Sequence, residues 1–287
     1  MKVLIVGGSG FLGSELVRRA TALGHPTAAT WATRPPGGGT GQDTGGSPTA
    51  TGATWYPLDL RDPGRIEDVL AASDPHVIVN ATSGGSDWPV TAEGPVRLAM
   101  AAAEHGSRLV HVSSDAVFSG ARVHYDESCP PDPLTPYGAA KAAAETGIGC
   151  VYPRAVVART SLIIGDRRSH HVRLVHDLAA GARDGALFTD DVRCPVHVAD
   201  LARALLELAF SDAGGVRHLA GDDAVSRYEL GLLVARRDGL DASRLTPALR
   251  AGSACPGALD VRLDCRATLR ELSVPLRGAR RFLPAGP

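Results

Sequence analysis

The chain has 287 residues, 44 % of them hydrophobic and 21 % charged, with a formal net charge of −1. That length accommodates one large α/β domain or a nucleotide domain with a smaller C-terminal lobe, and the balanced charge argues against nucleic acid or an anionic membrane as a partner. No apolar run reaches the length of a membrane span and Cys129, Cys150, Cys194, Cys255 and Cys265 show no paired-ligand spacing, so the expectation is a cytoplasmic protein with reduced thiols, no disulfide frame and no metal site.

Residues 1–6 form a short apolar run of strand length, followed at once by Gly7-Gly8-Ser9-Gly10-Phe11-Leu12-Gly13 and a helical pattern through Leu23. Strand, glycine turn and helix in that order are the phosphate-binding opening of a dinucleotide fold. The first glycine permits the turn, the second lets backbone approach a pyrophosphate, and the third allows close packing of helix on strand. The cofactor-binding residues expected here are Gly7, Ser9, Gly10, Phe11, Leu12 and Gly13.

A second strand is expected over residues 25–34. No acidic residue lies between Glu15 and Asp43, where a carboxylate would hold the 2′-hydroxyl of NAD. Arg34 is therefore the candidate clamp for a 2′-phosphate, with Arg18 or Arg19 as helpers, and NADPH is favoured while NADH stays open. Residues 35–53 are rich in Gly, Thr, Pro and Ser and read as a loop near the adenosine end. Residues 54–58 make a third strand and lead to a helix ending near Ala72, with Asp59 and Leu60 placed to meet the adenine.

Residues 76–81 and 108–113 give a fourth and a fifth strand, with a helix over 95–105 between them. Repeated strand–helix units imply a Rossmann-type, doubly wound parallel sheet. Asn80, Ala81 and Thr82 leave the fourth strand on the cofactor side. The domain expectation is a nucleotide-binding domain over 1–165 and, over 166–287, mostly a substrate-binding lobe with segments returning to the first domain.

The chain contains only two lysines, Lys2 and Lys141, against 28 arginines. Lys141 stands four residues after Tyr137, so on a helix the two share a face. A phenol with a free pKa of about 10 is a reluctant proton donor near neutrality, and a neighbouring ammonium brings it toward working range. Ser114, at the end of the fifth strand, is placed to hydrogen-bond a substrate carbonyl as charge builds on its oxygen. Its structural alternative is a strand-end cap.

These residues resemble the extended short-chain dehydrogenase/reductases, and within them the dTDP-4-dehydrorhamnose reductase branch. The likeness is carried by residues 7–13, by Ser113-Ser114-Asp115-Ala116-Val117-Phe118-Ser119-Gly120, by Tyr125-Asp126-Glu127, by residues 133–145 around Tyr137-Gly138-Ala139-Ala140-Lys141, by residues 159–165 and by residues 195–202. The resemblance implies a catalytic set of Ser114, Tyr137 and Lys141, with Tyr137 and Lys141 also touching the cofactor. It implies substrate contacts from Ser114, Asp115, Ala116, Arg159 and Ser161, and a nucleotide-linked 4-keto-6-deoxy sugar as substrate, with a homodimer compatible with the family.

Two departures bear on the substrate. Ala116 replaces the family's tyrosine, and residues 82–91 lack its acidic, asparagine-containing pattern. A non-sugar ketone or imine and a non-catalytic cofactor-binding subunit therefore stay open as alternatives. In the C-terminal third, helices are expected over 170–181, 198–210 and 226–237, with short strands near Leu187 and Val216 and a final helical stretch over 260–270. His170, His171, Arg173 and His176 either line a pocket for an anionic substrate or form a polar helix face.

Overall fold

A computed structural model describes residues 1–33, 35, 52–254 and 257–283. Arg34, most of the 35–53 loop and Cys255 lie outside the described residues. The chain divides into two compact units: Met1–Ser113, Pro136–Ala158 and Ala202–Arg217 make the first, and Ser114–Thr135, Arg159–Leu201 and His218–Pro287 the second. Both are discontinuous in sequence. Ser114 to Thr135 thus belongs with the C-terminal residues, and Ala202 to Arg217 returns to the nucleotide-type unit.

The first unit is built on a seven-stranded sheet. In chain order its first five strands are β1 (Val3–Val6), β2 (Thr27–Trp31), β3 (Thr54–Pro57), β4 (Val77–Asn80) and β5 (Arg108–Ser114). The spatial order is Gly215–Leu219, Val156–Thr160, β5, β4, β1, β2, β3. Neighbours β3–β2, β2–β1, β1–β4 and β4–β5 are parallel, with Val3 opposite both Thr27 and Val77. β1 and β4 are buried along their whole length, as continuous apolar strands covered on both faces must be.

The order reverses beside β1, which places the carboxyl ends of β1 and β4 at the switch point where such sheets bind ligands. Helices α1 (Phe11–Ala22), α2 (Pro63–Ser73), α3 (Gly94–His105) and α4 (Pro136–Val151) belong to this unit. Ile66, Val69 and Leu70 of α2, Leu98 and Ala102 of α3 and Ile148 of α4 close a core on Leu4, Val6, Ile78 and Leu109.

The second unit has its own core. Helices α5 (His170–Ala179) and α7 (Arg227–Asp238) supply much of it, while α6 (Val198–Ala209), between them in sequence, runs mostly within the first unit. Val172, Val175 and Leu178 of α5 meet Leu230 and Val234 of α7 around Leu162, Ile164 and Leu187. His176 Nε2 lies 2.7 Å from Asp238 Oδ2 and ties the two helices at their ends.

The helix expected over 260–270 is corrected. Arg262–Leu263 is a strand parallel to His124–Tyr125, and only Arg266–Leu269 is helical. The backbone N–H groups of Val261, Arg262 and Asp264 donate to the carbonyls of Val192, Val123 and Tyr125. These distant partners outcompete local helix bonds. No helix among the described residues is long and apolar enough to cross a membrane.

Candidate active site

In the first unit the glycine loop leaves β1 through Gly7, whose φ of +81° is the left-handed conformation that a side chain disfavours. Its N–H donates to Thr30 Oγ1 at 3.0 Å, and its carbonyl accepts from Gly10 N–H at 3.0 Å. A Cβ on Gly13 would stand 2.0 Å from the Gly7 carbonyl oxygen, so α1 seats on the loop only because the residue is glycine. Gly10 caps α1 with no side-chain hydrogen bond, and the first turn carries no acid.

Ser9 and Gly10 are exposed at this end while Leu12 is buried. A helix terminus with its positive end uncapped and its approach cleared of side chains fits the pyrophosphate of a dinucleotide.

The loop after β4 meets the same place. Asn80 is buried, and its Oδ1 accepts from Thr82 N–H at 3.1 Å and from Thr82 Oγ1 at 2.7 Å. Its Nδ2 donates to His111 Nδ1 at 3.1 Å. Burial and the Lys141 charge hold His111 well below its usual range, so the ring stays neutral and can accept. A Cβ on Gly7 would come within 3.0 Å of Thr82 Cγ2. Ala81 completes the turn by donating its N–H to the Val6 carbonyl.

Lys141 reaches this loop from α4. It is 2 % exposed, and its Nζ donates to the Val112 carbonyl at 2.9 Å and lies 3.5 Å from the Thr82 carbonyl. Burial pulls its pKa down to about 8, partly offset by the carboxylate of Glu145. Glu145 accepts from Ser113 Oγ at 2.5 Å. Tyr137 sits one helical turn before Lys141 and is half-buried. The glycine loop, Thr82 and Lys141 therefore converge within one unit, which is what a dinucleotide lying across the switch point requires.

The adenosine side is more mixed. Glu15 Oε1 holds both Arg18 at 2.7 Å and Arg19 at 2.5 Å, so these helpers are already paired on α1. Asp59 accepts from its neighbour Arg61 at 3.0 Å, and Arg61 reaches Asp87 at 2.6 Å. Leu60, expected at the adenine, is 3 % exposed and belongs to the hydrophobic core.

The remaining expected residues lie in the second unit. Ser114 Oγ accepts from Ala116 N–H at 3.2 Å and lies 3.3 Å from Asp115 Oδ1, the capping geometry weighed as its alternative role. Asp115 is buried and its Oδ2 accepts from Ser161 Oγ at 2.6 Å, while Ser161 Oγ also accepts from Cys194 N–H at 3.2 Å. Arg159 is buried, donates to the Cys129 carbonyl at 3.1 Å and stacks over Phe118 at 5.0 Å.

A cavity of about 240 Å³ opens in this unit, lined by His170, His171, Phe188, Asp191, Arg227 and Arg250 among others. Asp191, 1 % exposed, is its electrostatic centre. Its Oδ2 meets Arg227 Nε at 3.2 Å and is also bonded by Arg250. Burial pushes His171 down to about 3, with Arg227 and His170 adding to the shift. Of the four residues weighed for an anion pocket, His170 and His171 line this cavity, His176 pairs with Asp238 and Arg173 is exposed. Asp191, Arg227 and Arg250 carried no sequence signal, being 36 and 59 residues apart.

The RmlD substrate binding domain family model matches residues 1–281. The chain belongs to that family. It is an NAD(P)-dependent oxidoreductase of the extended short-chain type, in the dTDP-4-dehydrorhamnose reductase-like branch. A dTDP-4-dehydrorhamnose reductase from Mycobacterium tuberculosis is 30 % identical over 86 % of this chain and 78 % of its own length. A probable dTDP-4,6-dihydroxy-2-methyloxan-3-one 4-ketoreductase from Streptomyces antibioticus is 29 % identical over 86 % and 80 %. Among solved structures, a dTDP-4-dehydrorhamnose reductase from Bacillus anthracis in complex with NADP superposes with a TM-score of 0.80 at 19 % identity, over 98 % of this chain and 96 % of that one. A hypothetical dTDP-4-dehydrorhamnose reductase from Sulfolobus tokodaii gives 0.78 at 26 % identity, over 96 % and 97 %.

Proposed function

We propose that this family member is an NADPH-dependent ketoreductase acting on a nucleotide-linked 4-keto-6-deoxy sugar. The observation that carries the reading is Lys141, a buried ammonium directed at the loop beside the glycine turn, one helical turn from a phenol. When bound, the reduced nicotinamide supplies the hydride. Tyr137 gives the proton to the carbonyl oxygen. Lys141 lowers the cost of the phenolate left behind, and its depressed pKa keeps it poised near working pH. Ser114 is the candidate hydrogen-bond donor to the substrate carbonyl.

The lack of any acid between Glu15 and the end of β2 supports NADPH over NADH, with Arg34 as the candidate clamp. The guanidiniums of Arg227 and Arg250 at the second-unit cavity support an anionic, nucleotide-bearing substrate. Names of relatives such as the Streptomyces ketoreductase support the 4-keto sugar. Purified protein should oxidise NADPH with members of a 4-keto-6-deoxy nucleotide-sugar panel. Tyr137→Phe should lose at least about 100-fold in turnover while still gaining thermal stability from NADPH. If no member reacts with the wild type yet NADPH still raises Tm, the sugar-nucleotide reading fails and the non-catalytic binding-subunit reading gains.

A further inference from the structure

Asp115, Arg193 and Asp191 form a buried row in the second unit. Arg193 is 6 % exposed, Asp115 5 % and Asp191 1 %. Arg193 Nε lies 3.7 Å from Asp115 Oδ2, and its other end places NH1 2.9 Å from Asp191 Oδ1 in ionic contact. The rest of the guanidinium donates to backbone: NH1 to the carbonyls of Val192 at 2.7 Å and Leu259 at 3.2 Å, and NH2 to that of Ala258 at 2.8 Å. NH1 and NH2 are thereby committed inside the protein. Arg193 is also absent from the cavity lining that contains Asp191, Arg227 and Arg250.

Asp115 in turn touches the serine, with Oδ1 at Ser114 Oγ and Oδ2 held by Ser161. Charge alternates along the row, from Asp115 to Arg193 to Asp191 and on to the cavity guanidiniums. Each charge stands beside one of opposite sign in a medium where an unpaired charge is strongly disfavoured, while Ser161 holds Asp115 and backbone carbonyls hold Arg193 in place.

We propose that Arg193 is a positioning residue for Ser114, acting through Asp115 and anchored on the floor of the Arg227–Arg250 cavity, and that it does not itself bind the substrate's anionic group. An anion entering the cavity would compete with Asp191 for Arg227 and Arg250. Asp191 and Arg193 would then carry that change to the Asp115–Ser114 pair.

The kinetic test rests on the reductase reading, and a crystallographic test does not. In Arg193→Lys, kcat should fall about tenfold or more, with KM for the sugar nucleotide and for NADPH within about threefold of wild type. In a Ser114→Ala background the same change should leave kcat within about threefold, because the link has nothing left to position. A raised KM with unchanged kcat, or losses that add in the double variant, overturns the proposal.

Should Arg193→Lys fail to fold, Asp115→Asn tests the same link by the same non-additivity with Ser114→Ala. Crystals of whichever variant folds should show Ser114 Oγ moved from its wild-type position while Arg227 and Arg250 stay on Asp191. An unmoved Ser114 overturns the proposal even in a protein that reduces no panel member, which separates this failure from failure of the reductase reading.

Discussion

Lys141 Nζ donates to the Val112 carbonyl at 2.9 Å from a side chain that is almost wholly removed from water. Its folded pKa of about 8 lies below the ordinary value of 10.5, with burial as the leading cause. Between those two values the unfolded chain keeps a proton that the folded protein has released, so stability rises with pH across that window. Below about pH 8 the full penalty is present, on the order of 3 kcal/mol at 1.36 kcal/mol per pKa unit. Lys141→Met removes the penalty and also leaves the Val112 carbonyl without its partner. The net expectation is a gain of about 1–2 kcal/mol at pH 7 in urea unfolding, loss of the pH 8–10.5 slope, and loss of turnover.

β1 and β4 were legible because burial on both faces imposes short apolar runs, whereas β2, β3 and β5 carry polar or half-buried positions and were placed by the strand–helix alternation around them. Tyr137 and Lys141 were legible because four residues on a helix fix their relation without any knowledge of the rest. The Asp191 cluster was not, since its arginines arrive from α7 and from residue 250, and tertiary pairing leaves no spacing in the chain. Residues 260–270 misled for a related reason. The likeness of the ending to the family's final helix made them the expected helical part, yet their N–H groups are taken by the 123–125 and 192 backbones.

Gly13 gives a steric prediction. A methyl at 2.0 Å from a backbone oxygen cannot be accommodated by a side-chain rotation, so α1 or the turn must shift. Gly13→Ala should cost about 2–4 kcal/mol in chemical denaturation and weaken NADPH binding by calorimetry. Gly149→Ala, in the interior of α4 with nothing within 4 Å of its added Cβ, serves as the control and should be neutral or slightly stabilising.

Asn80 spends its whole amide on structure, with one end on Thr82 and the other on His111. Asn80→Ala should strand a buried imidazole nitrogen and free the Thr82 loop, costing about 1–3 kcal/mol of stability. Because Thr82 abuts Gly7 and its carbonyl faces Lys141, the Kd for NADPH should rise along with the loss of Tm. Asn80→Asp should behave differently. A carboxylate retains the acceptor for Thr82, and the His111 ring, whose Nε2 has no hydrogen-bond partner among the described residues, can take the tautomer whose Nδ1–H donates to it. The defect should therefore be smaller than that of Asn80→Ala near neutral pH and grow at low pH, where the carboxyl is protonated. Parallel pH titrations of Tm for the two variants distinguish the roles.

Thiol reactivity should divide along burial. Cys194 and Cys265 are buried, and burial pushes their pKa values up to about 11 and about 12, with Asp115 next in effect on Cys194. At pH 7.5 the thiolate fraction of either is below about one in a thousand, and the thiolate is the reacting species. Cys150 is exposed near the end of α4, and Cys129 is intermediate. Iodoacetamide followed by peptide mass spectrometry should therefore label Cys150 ahead of the other described cysteines and leave Cys194 and Cys265 unmodified until denaturant is added. Cys265 also accepts from Ala220 N–H at 3.3 Å, which fixes it against a buried backbone. Rapid native labelling of either buried thiol would mean that the second unit opens locally, because only exposure to water restores an ordinary pKa to both groups.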